Sequence, residues 1–136
     1  MMLKIQEPYN LLQTASGPKW QRIGLKRRSG IVVPLFSVYS RNSIGIGDVE
    51  DLRLVVDWAA ETKNSIVQLL PMNEISGLFC PYDSISSFAL EPAYICLRGI
   101  PFIRKSKIKE RLDEIKERFP VGLSNVDYGI KYAKIS

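Results

Sequence analysis

Asn73, Glu74 and Tyr82 are the residues whose types and spacing point to chemistry. All three lie just past an apolar run that stops at Pro71. The amide of Asn73 and the carboxylate of Glu74 can hydrogen-bond a polyol. Tyr82 adds a flat apolar face with a hydroxyl at its edge, on which a pyranose ring can stack. The plainer use of that ring is as a half-buried anchor for its own loop. Other chemistries are closed by composition. The chain has no histidine, so neither Ser-His-Asp nor Cys-His nucleophilic schemes can be assembled from it. Its two cysteines, Cys80 and Cys96, do not complete an ordinary four-ligand zinc site. No cofactor and no metal is expected.

Those residues need a frame to hold them, and the sequence supplies one. The run 65–70 reads as a short buried strand ending at Pro71, and Ile31-Val32-Val33-Pro34-Leu35-Phe36 as an earlier one, each covered on both faces. Proline removes a ladder donor, so Pro34 marks a strand end or an edge. Between the strands, Asp48 is a good N-cap, and Glu50 and Asp51 put acid in the first turn. Leu52, Val55, Val56, Ala59 and Ala60 recur at helical spacing, predicting a helix over 49–62 with one apolar stripe. Strand, helix and strand make a parallel β-α-β unit. In such folds the loops after the strands carry the site, which singles out 37–47 and 72–87.

The loop 37–47 contains Gly45-Ile46-Gly47. It lacks the third glycine of a dinucleotide fingerprint and the Lys-Ser/Thr of a P-loop, so phosphate binding is not expected there. The lead-in 1–28 is loop-rich, with a short helical turn near 10–14, and Trp20 and Ile23 are candidates to fold back and pack. Phe88-Ala89-Leu90 and 94–97, the latter including Cys96, read as further core, and Glu91 beside Pro92 as a turn residue. Beyond them, 108–119 is helical and stops at Pro120. A second helical segment is expected over 124–135, with Ser124 or Asn125 as its cap and Val126, Ile130 and Ala133 on one side.

The totals bound the rest. With 136 residues, the chain suits about one domain and is too short for a whole (β/α)8 barrel. Part of the net charge of +5 comes from the basic residues of 105–116, interleaved with Glu110, Asp113 and Glu114. That is the pattern of a solvated helix face rather than a phosphate-reading stripe, so no nucleic acid is expected. Lys26-Arg27-Arg28 is read the same way, as a solvated edge. No run is long enough to span a membrane. Two cysteines do not make a disulfide framework, and with no apolar signal core at the N-terminus the expected location is cytoplasmic.

Several pieces, taken in order, carry more than periodicity. These are Arg28-Ser29-Gly30-Ile31, Pro34-Leu35-Phe36-Ser37, Ser43-Ile44-Gly45-Ile46-Gly47-Asp48 and Gln68-Leu69-Leu70-Pro71-Met72-Asn73. After them come Pro81-Tyr82-Asp83-Ser84-Ile85-Ser86-Ser87-Phe88-Ala89 and Pro92, with Asn125-Val126-Asp127-Tyr128 further on. The series resembles the N-terminal part of the 4-alpha-glucanotransferases (amylomaltase or disproportionating enzyme, glycoside hydrolase family 77). The resemblance implies an α/β fold: an incomplete (β/α)8 TIM barrel, holding the first β-α-β unit, followed by part of a helical insertion. It divides the chain into a lead-in (1–27), the first barrel elements (28–97) and the start of an inserted subdomain (98–136).

The implied activity is transfer of α-1,4-glucan segments between maltooligosaccharides, with retention. The implied partners are the glucan and the missing C-terminal part of the barrel. The family's catalytic Asp, Glu and Asp are expected beyond residue 136, which leaves no catalytic residue in this chain and makes it inactive alone. Glu74, Asp83 and Glu91 do not match those motifs. Tyr82 matches the aromatic residue that stacks on glucose beside the cleavage point. Cys80 stands where many members have a sugar-binding serine, and a thiol is a poor donor. Asn73 and Ser84 are expected as neighbours of the sugar. Two alternatives come from other classes: a non-catalytic carbohydrate-binding module using the Tyr82 loop, and a basic interaction domain.

Overall fold

The computed structural model describes residues 11–101 and 105–136. The start of the expected lead-in, 1–10, lies outside the described residues, as do 102–104. A 3-10 turn occupies Leu11–Gln13, and helix α1 follows at Gly17–Ile23. The lead-in is thus more ordered than its composition suggests. Pro18 sits in the first turn of α1, where a fixed φ favours the helix and no amide is missed. Trp20 is half-buried, whereas Ile23 stays exposed and does not fold back.

The β-α-β unit is present. Strand β1 (Gly30–Val33) and strand β2 (Ile66–Leu69) pair in parallel, with Gly30 opposite Ile66 and Val33 opposite Leu69. Each strand stops just short of a proline region: β1 at Pro34, β2 ahead of Pro71. Between them, helix α2 runs Val49–Glu61. Asp48 caps it, accepting from the amides of Glu50 and Asp51, while the Asp51 carboxylate accepts from the Asp48 amide at 3.0 Å. This reciprocal box satisfies the donors at the helix start.

The same box removes the phosphate reading of 37–47 on physical grounds. Asp48 and Asp51 already fill the helix N-terminus, and Ser43 donates to Asp51 at 2.7 Å. Gly45 serves a packing need: at φ +73 it lets the loop pass Ile130 and Phe119, where a Cβ would lie 2.8 Å from the Ile130 side chain.

Coverage of the strands differs from the expectation. Both alternate between exposed and half-buried residues, and Val32 is 65% exposed. On α2 only Ala59 of the apolar stripe is buried; Leu52 and Val55 are half-buried, and Val56 and Ala60 are exposed. Phe88, Ala89 and Leu90 are exposed rather than core, Phe88 at 95%. The apolar pattern is there, but no other element among the described residues lies over it.

The core sits on the strand-end side instead. Leu35, Ile44 and Ile46 from the first loop meet Ala93 and Tyr94, which follow the second. Helix α3 (Lys105–Arg118) adds Ile115, Phe119 follows it, and helix α4 (Ile130–Ile135) adds Ile130. Helix α4 is shorter than expected. Residues 124–129 lie outside it: the N-cap is Gly129, not Ser124 or Asn125, and the Asp127 carboxylate accepts from the Gly129 amide at 2.8 Å in the segment before the helix. No helix among the described residues is long and apolar enough to cross a membrane.

Candidate functional site

The segment 72–91 is a hydrogen-bonded hairpin rather than a loose loop. Its two arms bridge at Asn73 and Leu90 and again at Ile75 and Ser84. The amides of Glu74, Ile85 and Glu91 donate to the carbonyls of Ala89, Glu74 and Met72, at 2.8–2.9 Å. Near the tip, Ser76 donates to the Asp83 carboxylate at 2.7 Å. Ser86 accepts from the amides of Phe88 and Ala89 and tightens the returning arm.

The tip is a turn in which the Asp83 amide donates to the Cys80 carbonyl at 2.9 Å. It holds Cys80, Pro81 and Tyr82 together. Cys80 is an exposed free thiol. The Tyr82 ring is 72% exposed, so the reading of it as a half-buried anchor does not hold. Ser84 sits on the first bridge below the tip, exposed, and Asn73 on the lower bridge, half-buried. The fold therefore groups Cys80, Tyr82 and Ser84 around the tip and leaves Asn73 at the hairpin's base. Phe79, just before the tip, has φ +52, uncommon for an aromatic residue. Its ring stacks on Tyr128 at 4.9 Å and 18°, which fixes the tip against the segment leading to α4.

Beneath the hairpin lies a polar clamp. Glu91 caps the 3-10 turn Pro92–Tyr94, as a turn residue would, but its carboxylate is also buried. It accepts from the amides of Ile75 (3.0 Å) and Ala93 (3.2 Å) and from the Lys131 ammonium (3.1 Å). Lys131 also donates to the Ile75 carbonyl and lies 3.6 Å from Glu74. One turn along α4, Lys134 donates to the carbonyls of Ala93 and Ile95. Burial holds the Lys134 ammonium below its ordinary pKa. Burial pushes the Tyr94 and Tyr128 phenols up. Burial and the nearby Asp48 likewise raise the Cys96 thiol, which is half-buried rather than core.

Sequence reasoning pointed to residues at the tip and did not anticipate the clamp. A signal was available: Lys131 and Lys134 stand on the same short helix as Ile130 and Ala133, and buried lysines demand acceptors. The carboxylates of the hairpin are all engaged: Glu91 and Glu74 with Lys131, and Asp83 with Ser76. The arrangement is therefore a rigid support for an exposed ring, not an acid-base pair. No group of three or more metal-ligating side chains occurs among the described residues.

The sequence matches the family model described as 4-alpha-glucanotransferase over residues 33–135. A 4-alpha-glucanotransferase of Chlamydia pneumoniae is 37% identical over 103 residues, covering 75% of this chain and 20% of its own. A 4-alpha-glucanotransferase of Oryza sativa subsp. japonica is 36% identical over 107 residues, 75% of this chain and 11% of its own. Among solved structures, amylomaltase from Corynebacterium glutamicum superposes with a TM-score of 0.71 at 22% identity. That match covers 89% of this chain and 18% of the other. The chain thus spans about a fifth or less of the length of these relatives.

Proposed function

Because the chain belongs to the 4-alpha-glucanotransferase family, we propose that it forms one wall of a glucan site in an enzyme that moves α-1,4-glucan segments between maltooligosaccharides. Its substrates are glucans of the starch and glycogen type, met in the cytoplasm. The observation that carries this reading is the Tyr82 ring, held out to solvent on a braced hairpin. A rigid aromatic face loses little entropy on stacking against a sugar. Ser84 and Cys80 flank that face as hydrogen-bonding neighbours, Cys80 the weaker donor, and Asn73 contacts the sugar from the hairpin's base.

A retaining transfer needs one carboxylate to attack and another to act as acid and then base, about 5 Å apart. Glu74, Asp83 and Glu91 are committed to structural partners. We assign the catalytic Asp, Glu and Asp to the part of the enzyme that corresponds to the rest of the relatives' length. That part also completes the barrel, whose first unit is 28–97 here, with 1–27 as lead-in and 98–136 as the start of a helical insertion. The open edges of β1 and β2 and the exposed stripe of α2 are the surface it covers.

Two measurements test the reading. Incubated alone with maltotriose, the chain is expected to give no longer or shorter products. Titrated with maltotetraose, it is expected to bind weakly, and Tyr82→Ala to weaken binding by about tenfold. Equal affinity in the wild type and Tyr82→Ala would remove the hairpin tip from the site.

A further inference from the structure

A pocket of about 370 Å3, within the size range of small-molecule sites, lies where the loop after β1, the 3-10 turn Leu97–Gly99 and helix α3 meet. It gathers three cations from two elements. Arg98 comes from the turn, and Lys109 and Lys116 stand two turns apart on one side of α3. None of the three forms a salt bridge among the described residues. Arg53 and Arg111 behave differently: each pairs with a glutamate on its own helix. Lys116 is positioned without being neutralised. Its ammonium donates to the Arg41 carbonyl at 2.6 Å and has two further N–H groups to offer. Such a cluster is not general on this surface, since the groove of about 420 Å3 beside the hairpin tip has no charged lining residue.

The floor of the pocket is aliphatic. Ile44, 4% exposed, belongs to the core, and Ile108 and Leu112 beside it are half-buried. No aromatic side chain lines it among the described residues. One carboxylate is present. Asp113 stands four positions after Lys109 and three before Lys116, yet it pairs with neither among the described residues.

Each feature narrows the ligand. Three cations against one carboxylate leave a surplus of two positive charges, which suits the dianion of a phosphate monoester. The aliphatic floor asks for a broad apolar body. A pyranose ring stacks on aromatic faces, and this floor has none. Asp113 repels a bare anion and accepts from an amine or hydroxyl on a larger one. A nucleoside monophosphate carries all three parts: the phosphate, a flat heterocycle and donor groups.

We propose that this pocket binds a nucleoside monophosphate. Its phosphate lies among Arg98, Lys109 and Lys116, its base rests on Ile44 and Leu112, and its donors face Asp113. The proposal does not rest on the glucan reading. The bound ligand ties α3 to the loop after β1, whose Ile44 shares the core with Ile115 of α3. Binding therefore stabilises the folded chain by mass action.

The test is calorimetric titration of the 136-residue chain with AMP and, separately, with adenosine, inorganic phosphate and glucose 6-phosphate. AMP is expected to bind at least about tenfold more tightly than each of the other three and to raise the urea midpoint. Lys109, Asp113 and Lys19 are exposed, so their variants are expected to fold. Lys109→Ala should weaken AMP about tenfold, whereas Lys19→Ala, which removes a cation on α1, should leave it unchanged. Asp113→Asn should tighten inorganic phosphate and narrow its gap to AMP, a reversal that loss of folding does not produce. Three results would overturn the proposal: no binding of AMP, equal binding of AMP and glucose 6-phosphate, or equal losses in Lys109→Ala and Lys19→Ala. Tyr82→Ala should not alter AMP binding, so the pocket and the hairpin tip stand or fall separately.

Discussion

Val32 lies in an unbroken apolar run and is 65% exposed, whereas Ile130 lies between a glycine and a lysine and is fully buried. The two residues mark two regions of the molecule. One is the strand-end side, where loops and the helices α3 and α4 close around a core that includes ion pairs. The other is the β1–α2–β2 layer, where Val32, Leu54, Val56, Trp58 and Ile66 are exposed. An apolar run states what must be covered; it does not state that the same 136 residues do the covering. The layer's open strand edges, with unpaired backbone groups, are the more telling sign, because a parallel pair is rarely left uncovered.

The largest expected effect that would break this contrast is at Glu91. Glu91→Ala strips a buried partner from Lys131 and two amides of their acceptor. Breaking one side of a buried pair is expected to destabilise by about 3–5 kcal/mol. Urea unfolding should show this as loss of most of the native baseline. A change below about 1 kcal/mol would mean the clamp is not buried as described. Ile130→Ala comes next, at about 2–5 kcal/mol for a core cavity. Val32→Ala on the bare layer should stay within about 0.5 kcal/mol. Equal costs at Ile130 and Val32 would erase the distinction between the two regions.

Association sharpens it from the other direction. An uncovered parallel pair beside exposed Leu54, Val56 and Trp58 is a surface for self-association. Sedimentation is expected to show mass rising with concentration, and Val32→Lys to suppress the rise without lowering the urea midpoint. A monomer at all concentrations, unfolding in one sharp transition, would argue that the layer needs no partner.

The β1–α2–β2 order was legible in the sequence; helix α1 and the pairing of 72–91 into a hairpin were not. Capping at Asp48 and the prolines at 34 and 71 act through local backbone chemistry, which the sequence states directly. Tyr82 was legible because the Pro-Tyr stretch carries a family pattern. What was not legible depends on distant partners. Phe88 and Leu90 read as core because they are apolar, yet they sit on a returning arm with nothing above them. The Glu91–Lys131 pair joins residues forty positions apart, and neither residue alone suggests it. Helix α4 was overextended because 124–129 has helical spacing, while the Asp127 side chain bonds the Gly129 amide and favours a turn.

The smallest effect expected is a dependence on alkaline pH, and it again separates the two regions. Tyr94, Tyr128 and Cys96 all have pKa values raised by burial on the closed side. When folding raises the pKa of an acid, the folded chain keeps a proton that the unfolded chain releases. Stability from such a group is present below the unfolded pKa and falls as pH rises past it. For the tyrosines that fall begins near pH 10, and for the thiol somewhat lower. Lys134 runs oppositely: its lowered value means the unfolded chain binds more protons, so its contribution rises with pH up to its ordinary value. Unfolding in urea should therefore hold or gain slightly toward pH 9 and decline above pH 10, by about 1 kcal/mol per pH unit through Tyr94. Tyr94→Phe removes one titrating group from the closed side. It should make the decline above pH 10 shallower. Identical slopes in the wild type and Tyr94→Phe would mean the tyrosine pair is as open to solvent as the strands, and the closed side would then be no more closed than the bare one.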